Sequence, residues 1–199
     1  MIFSRFVFSL VICMTVAFGT YAFAQDLPNN FHEHRGLMKG AVPGFSKGKK
    51  KFDSTAAKAQ ILSLYKNKGV RIIVSLDHCE DVRGVLETIK FEYKDFSLDH
   101  ECRKIRRGEN YYTRNAKLFR FISSTIGHVP TFVHCRYGAH RAVTAITGAW
   151  IDKERIPFDE AFKLSGGKLR SFRRPSQVML LNHARKYAEP VQFGECKGQ

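Results

Sequence analysis

The sequence lacks three features that would assign its class directly. No CxxC pair occurs among its five cysteines, so a ribbon-type zinc site is disfavoured. Beyond the first 24 residues, no apolar run is long enough to cross a membrane. No internal repeat or low-complexity tract is present, which excludes repeat architectures. Residues 25–199 have the length of one globular domain with a sizeable core.

Acidic residues are scarce as well. The chain has 33 lysines and arginines against 18 aspartates and glutamates, a formal net charge of +15. Such a charge favours negatively charged partners, namely phosphorylated molecules, nucleic acid or anionic lipid surfaces. The basic runs lack the interleaved aromatic residues that stack on bases, which disfavours nucleic acid.

The amino-terminal segment has the pattern of a secretory signal peptide. Arg5 precedes an apolar stretch over residues 6–18, and the small residues Ala22 and Ala24 frame a cleavage site. The stretch is short for a membrane span, although an uncleaved anchor is the alternative. We predict that residues 1–24 are a cleaved signal peptide of bacterial type and that no stable membrane span remains. The mature protein would then be exported, either to the periplasm or out of the cell.

Strand and helix signals alternate along the rest of the chain. Strands are predicted at 37–43, 70–76, 91–96 and 129–133. Helices are predicted at 54–68, 82–89, 110–126, 142–150, from 157 and at 175–188. This alternation predicts an α/β fold, a single domain with a mostly parallel central sheet flanked by helices. Sheets of this kind bind ligands at the carboxyl ends of their strands.

The most informative segment is the loop His134–Arg141, which lies between a predicted strand and a predicted helix. This arrangement collects backbone N–H groups and a helix N-terminus around one point, which makes an anion site. A thiol held there, Cys135, is driven towards thiolate, and Arg141 can bind two oxygens of an oxyanion. The residues expected to surround a bound phosphate are Arg136, Tyr137, Gly138, Ala139, His140 and Arg141.

This loop, a His-Cys pair followed by five residues and an arginine, resembles the signature loop of the cysteine-dependent protein tyrosine phosphatase superfamily. Three further segments resemble its compact dual-specificity branch in the same order: a strand at 69–76, an acid-bearing segment at 96–99, and the start of the final helix at 173–177. The resemblance covers roughly residues 37–188. Residues 25–199 are therefore expected to form a dual-specificity-phosphatase-like catalytic domain.

The resemblance implies a phosphoric monoester hydrolase that works in two steps. Cys135 would attack phosphorus to form a cysteinyl-phosphate, while Arg141 and the loop amides hold the equatorial oxygens. Asp99 would donate a proton to the leaving group and then orient the attacking water. His134 would fix the loop. No metal or cofactor is required, because the arginine and the amides take that role. The neighbouring acids that could replace Asp99 are Asp95 and Glu101.

Two positions depart from the family pattern. The residue after the arginine is usually Ser or Thr, whose hydroxyl stabilises the departing thiolate, but here it is Ala142. This leaves open a slow enzyme or a pseudo-phosphatase that binds phosphorylated ligands. Position 140 is usually small, whereas His140 could either donate to a second phosphate or crowd the entrance.

Cys79 and Cys102 are the natural pair for a disulfide in an exported protein. Each follows a predicted strand, so in a parallel sheet both would lie at the same edge. Two alternatives involve the same cysteines. One is a zinc site in which His78 and His100 join these cysteines. The other is a resolving role in which Cys102 reaches Cys135 and protects it from overoxidation.

Two basic groups bear on the substrate. Arg103, Lys104, Arg106 and Arg107 follow the acid segment, and Lys168, Arg170, Arg173 and Arg174 precede the last helix. A solvated surface is the simple interpretation of such runs. If they converge on the loop, a polyanionic small molecule is favoured over a phosphoprotein. The superfamily that the loop resembles includes secreted bacterial phytase-like enzymes that dephosphorylate inositol polyphosphates. The sequence gives no indication of oligomeric state.

Overall fold

The computed structural model describes residues 27–45, 51–103, 105 and 112–188. Five strands lie in this part of the chain: β1 (His32–His34), β2 (Leu37–Ala41), β3 (Ile72–Ser75), β4 (Asp99–Cys102) and β5 (Thr131–Cys135). The helices of the same part are α1 (Ser54–Asn67), α2 (Cys79–Glu92), α3 (Tyr112–Thr125), α4 (Arg141–Glu154), α5 (Phe158–Leu164) and α6 (Pro175–Ala188). The predicted signal peptide, residues 1–24, lies outside the described residues.

The strands form one sheet in the order β1-β2-β5-β3-β4. Strand β5 pairs in parallel with β2 and β3, and β3 pairs in parallel with β4, whereas the edge strand β1 is antiparallel to β2. All five residues of β5 are buried, as expected for a parallel strand covered on both faces. The predicted fold class, a mostly parallel sheet flanked by helices, is confirmed.

Helices cover both faces of the sheet and form two hydrophobic cores. Helix α4 packs against the sheet and against α3, α5 and α6, so every residue from Ala142 to Ile151 is buried. Helices α1 and α2 cover the opposite face, where Ile61, Ile73 and Phe132 are fully buried. No helix in the described residues is both long and apolar enough to span a membrane.

The predicted strand at 91–96 is wrong. Val82, Val85, Leu86 and Ile89 recur at helical spacing and are buried, and this pattern extends α2 to Glu92. A turn follows α2, and the fourth strand forms later, at Asp99–Cys102. Periodicity alone could not distinguish a short aromatic strand from the exposed end of a helix.

Helix α1 begins at the predicted residue, and Asp53 caps it, because its Oδ1 accepts a hydrogen bond from the Ala56 amide at 3.0 Å. Strand β1 was not predicted, since three residues without apolar alternation give no strand signal. The other boundaries agree within a few residues.

Candidate active site

Cys135 is the last residue of the central strand and is almost completely buried. The loop after it turns at Gly138, which has φ +65° and whose amide donates to the Cys135 carbonyl at 3.3 Å. A side chain at Gly138 would place its Cβ 2.2 Å from the carbonyl carbon of Gly40 in β2. Only glycine fits this contact between the loop and the strand. Helix α4 then begins at Arg141, with its N-terminus beside the loop.

The loop forms the floor of a cleft of about 660 Å³, a size suited to a small phosphorylated molecule. Both the loop and the segment that leads into α6 line it. The lining residues are Asp77, Cys135, Arg136, Tyr137, His140, Arg141, Ser171, Arg173, Arg174, Ser176, Gln177 and Leu180.

Arg141 is bonded to the segment that follows β3. Its Nη1 donates to the Leu76 carbonyl at 3.2 Å, and its Nη2 donates to Asp77 Oδ2 at 2.5 Å. Arg136 Nε lies 3.5 Å from the same carboxylate oxygen. Burial acts to raise the pKa of Asp77, but the hydrogen bond and charge of Arg141, with His78 and Arg136, outweigh it and lower that pKa. Asp77 is therefore ionised in this arrangement.

His134 lies beneath the loop in a buried hydrogen-bond network. Ser75 Oγ lies 2.6 Å from His134 Nε2 and 2.8 Å from His100 Nε2. Burial, reinforced by His100 and His78, lowers the pKa of His134 to about 3. The imidazole is consequently neutral at physiological pH, which suits a role in holding the loop rather than in transferring protons.

The structure does not bring Asp99 to the loop. Asp99 is level with Ile72 of β3, and Ile72 is level with Thr131 at the start of β5. Cys135 lies four residues further along, which is about 13 Å at the rise of a strand. The predicted proton donor Asp99 is therefore not among the residues that line the cleft. The prediction placed Asp99 after a strand, whereas it begins one.

The alternative acids are also engaged elsewhere. Asp95 lies in the turn before β4, and Glu101 Oε2 lies 3.3 Å from Arg103 Nη2. The Arg103 guanidinium stacks 4.1 Å from the centre of the Phe121 ring and does not line the cleft. Lys104, Arg106 and Arg107 lie outside the described residues. Among described residues, the arginines that line the cleft are Arg136, Arg141, Arg173 and Arg174.

Cys79 and Cys102 are joined by a disulfide, the pair that the sequence singled out. Neither sulfur is then available as a zinc ligand or as a resolving thiol for Cys135. Cys135 is the free thiol among the described cysteines.

Two loop residues are held by neighbours. His140 Nε2 lies 2.7 Å from the Ser171 carbonyl oxygen, and its ring packs edge-on against Phe172. His140 therefore ties the loop to the segment that carries Arg173 and Arg174. Arg136 Nε donates to His78 Nε2 at 2.9 Å.

Four residues near the loop were not predicted: Asn30, Lys39, Ser75 and Asp77. Asn30 Nδ2 donates to the Tyr137 carbonyl at 2.7 Å, and Lys39 Nζ donates to the Gly138 carbonyl at 3.3 Å. A lysine inside the predicted strand at 37–43 was a signal that could have identified Lys39. Asp77 could have been found as the first carboxylate after the strand at 70–76.

No protein-family model matches the sequence, and no curated protein sequence matches it. Solved structures do match. PTPMT1 in complex with PI(5)P is 18% identical with a TM-score of 0.53, over 79% of this chain and 96% of that one. The chain has the fold of the cysteine-dependent phosphatases.

Two other structures support the same assignment of fold. Kinase associated phosphatase is 14% identical with a TM-score of 0.54, over 76% of this chain and 84% of that one. The PTP-2 phosphatase of Cydia pomonella is 19% identical with a TM-score of 0.51, over 76% and 86%. At these identities the likeness concerns the fold, and the chemistry has to be argued from the site.

Proposed function

We propose that this protein is a cysteine-dependent phosphatase that hydrolyses phosphate monoesters through a cysteinyl-phosphate. One observation carries the proposal. The thiol of Cys135 ends the central strand in the same cleft that Arg141 lines at the start of α4. A nucleophile, a bidentate cation and a helix N-terminus therefore meet at one point, as transfer of a phosphoryl group requires.

The reaction follows from these positions. The Cys135 thiolate forms a bond to phosphorus while the bond from phosphorus to the leaving oxygen breaks, and a proton passes to that oxygen. Arg141 and the loop amides hold the equatorial oxygens as charge develops on them. Water then attacks phosphorus, the S–P bond breaks, and inorganic phosphate leaves. His134, neutral and buried, holds the loop during both steps.

We assign the proton transfers to Asp77 in place of Asp99. Among the described residues it is the carboxyl group that lines the cleft. A substrate phosphate would take Arg141 from Asp77 and add a negative charge beside it, and both changes raise the pKa of a carboxyl group. The protonated Asp77 would donate to the leaving oxygen in the first step and accept a proton from water in the second.

The substrate class that we favour is a polyanionic small molecule such as an inositol phosphate. Arg173 and Arg174 line the same cleft as Arg136 and Arg141, so a molecule with several phosphates could contact both pairs. PTPMT1, which shares the fold, is known in complex with PI(5)P. A phosphoprotein is the alternative substrate, since the cleft opens to the surface.

A protein that binds phosphorylated ligands with little turnover is the second candidate. Ala142 follows Arg141 in the first turn of α4 and carries no hydroxyl to stabilise the departing thiolate. Formation of the phospho-enzyme would then outpace its breakdown.

We also propose that the protein is exported, because a disulfide persists in an oxidising compartment and the first 24 residues have a signal-peptide pattern.

The test is hydrolysis of an aryl phosphate by the wild type and by Cys135→Ser, with Cys196→Ser as the matched control. We expect Cys135→Ser to lose about 10³-fold or more in rate and Cys196→Ser to keep it. Equal rates in wild type and Cys135→Ser would refute the cysteine mechanism.

The same assay separates the finer proposals. Inositol hexakisphosphate should be preferred to a phosphotyrosyl peptide, and rising salt should weaken that preference. A salt-insensitive preference for the peptide would favour the phosphoprotein. A rapid quench that counts one phospho-enzyme per chain, with almost no steady state, would favour the binding protein.

A further inference from the structure

A lysine lies in the interior directly beneath the loop. Lys39 is the middle residue of β2, only 5% exposed, and level with Val133 of the central strand. Its Nζ donates to the Asn30 carbonyl at 3.2 Å and to the Gly138 carbonyl at 3.3 Å. Lysine is rarely buried unless it is paired, so the position needs a physical reason.

The bonds of Lys39 leave its charge uncompensated by any carboxylate. In the part of the chain that the structure describes, no aspartate or glutamate forms an ion pair with it. Burial lowers the pKa of Lys39, the negative charge of Cys135 acts to raise it, and Lys168 lowers it further. Lys39 is level with Val133, and Cys135 lies two residues further along β5 on the same face of the sheet, so the Lys39 side chain that reaches Gly138 extends towards Cys135. Lys39 and Cys135 are both buried, and charges interact more strongly in a buried environment than in water.

We propose that Lys39 is the buried counter-ion of the Cys135 thiolate and that it positions the phosphate loop through Gly138. The inference rests on the proposed function for its use in catalysis, but it concerns the state of the thiol itself. Lys39 acts through Cys135 and the loop, and it is a positioning residue.

The bond to Gly138 also sets the direction of a peptide group. The carbonyl and the next N–H of a trans peptide point in opposite directions. Because Lys39 holds the Gly138 carbonyl in the interior, the Ala139 N–H points away from Lys39. Asn30 holds the Tyr137 carbonyl in a similar way. Carbonyl oxygens that would repel a bound anion are thus taken up by donors on the other side of the loop.

The first experiment measures the thiol directly. Alkylation of Cys135 by iodoacetamide is followed by peptide mapping at mildly acidic pH in the wild type, Lys39→Met, Lys39→Arg and Lys117→Met. The last removes an exposed lysine on α3 and is the matched control. We expect Lys39→Met to react about tenfold more slowly, and Lys39→Arg, which keeps the charge, to stay within about threefold of the wild type.

Equal rates in Lys39→Met and wild type would overturn the inference, and so would a loss in Lys39→Arg as large as that in Lys39→Met. The latter result would mean that packing, rather than charge, is what matters. Thermal melts of each variant establish that it is folded before alkylation is interpreted.

The second experiment leaves Lys39 unchanged. Cys135→Ser is neutral, so the buried ammonium loses its partner, and the melting temperature near neutral pH should fall by about 3 °C or more. Cys196→Ser is the control for the change of sulfur to oxygen. Equal melting temperatures in Cys135→Ser and wild type would contradict the pairing even if Lys39→Met failed to fold.

Neither readout requires a substrate. A wild type that hydrolyses no phosphate but shows Lys39-dependent alkylation would refute the proposed function and keep this inference. If the protein hydrolyses phosphate but its Cys135 is alkylated equally fast with and without Lys39, the proposed function is kept and this inference is refuted.

Discussion

The guanidinium of Arg141 is occupied by the protein itself. Its two terminal nitrogens bond the Leu76 carbonyl and the Asp77 carboxylate. A phosphate bound at the loop needs the same planar fork. In the proposed mechanism, Asp77 and the substrate would therefore compete for one cation, and binding of the substrate would release the carboxylate at the moment when a proton donor is needed.

Asp77→Asn should separate these two roles. Inorganic phosphate, measured as a competitive inhibitor, should bind about threefold to tenfold more tightly, because no carboxylate holds Arg141. Hydrolysis of an alkyl phosphate should fall by about 10²-fold or more, since its leaving group needs the proton. An aryl phosphate with a good leaving group should lose much less.

Asp99→Asn is the informative comparison for this prediction. It makes the same chemical change at the proton donor that the sequence predicted, which lies at the start of the edge strand β4. Its rates should match those of the wild type on both substrates. A large loss in Asp99→Asn with none in Asp77→Asn would show that the assignment of the donor is wrong.

At the level of elements, the disulfide connects the start of α2 to the end of β4. The two residues before α2 carry contacts to the loop, since Asp77 bonds Arg141 and His78 bonds Arg136. The cross-link therefore anchors the segment that presents Asp77.

Replacing both Cys79 and Cys102 with serine should lower the free energy of unfolding by about 3 kcal/mol, as expected for a cross-link over 23 residues. Denaturant melts with and without dithiothreitol provide the measurement. The reductant should lower the midpoint of the wild type to that of the double variant and leave the double variant unchanged. A wild type that is shown to be reduced but melts unchanged would contradict this.

The elements also show what the sequence could reveal. The loop, its strand and α4 were predictable, because an apolar strand, a tight turn and a helix follow one another within the chain. Asp99 was misplaced because the exposed aromatic residues Phe91 and Tyr93 resembled a strand. The predicted strand ended before Asp99, which would place Asp99 at the carboxyl ends of the strands, beside the loop. In the structure β4 begins at Asp99, so Asp99 lies at the amino ends of the strands. Lys39 and Asn30 were missed because they meet the loop through contacts that span about a hundred residues.

For the whole molecule, buried neutral histidines make stability depend on pH. His134 has a folded pKa of about 3, whereas an unfolded histidine titrates near its model value of 6.5. Between these values the unfolded chain binds more protons, so the free energy of unfolding falls as the pH falls. Burial lowers the pKa of His100 and of His183 as well, and both add in the same direction.

Denaturant melts at about pH 7.5 and about pH 5 should show a loss of about 2 kcal/mol from His134 alone. His134→Asn should be less stable at the higher pH but lose less on acidification. His128→Asn, a change at an exposed histidine, should follow the wild type. An identical pH dependence in His134→Asn and wild type would show that His134 does not cause the loss of stability at low pH.

The strand order determines when the active site forms during folding. The strand that bears Cys135 is the last of the five in the chain, yet it lies between β2 and β3 at the centre of the sheet. The bonds from Asn30 and Lys39 to the loop span 107 and 99 residues. Such distant contacts form late, because a long stretch of chain must close first. Activity should therefore emerge only at the end of folding, and no partly folded chain should have it.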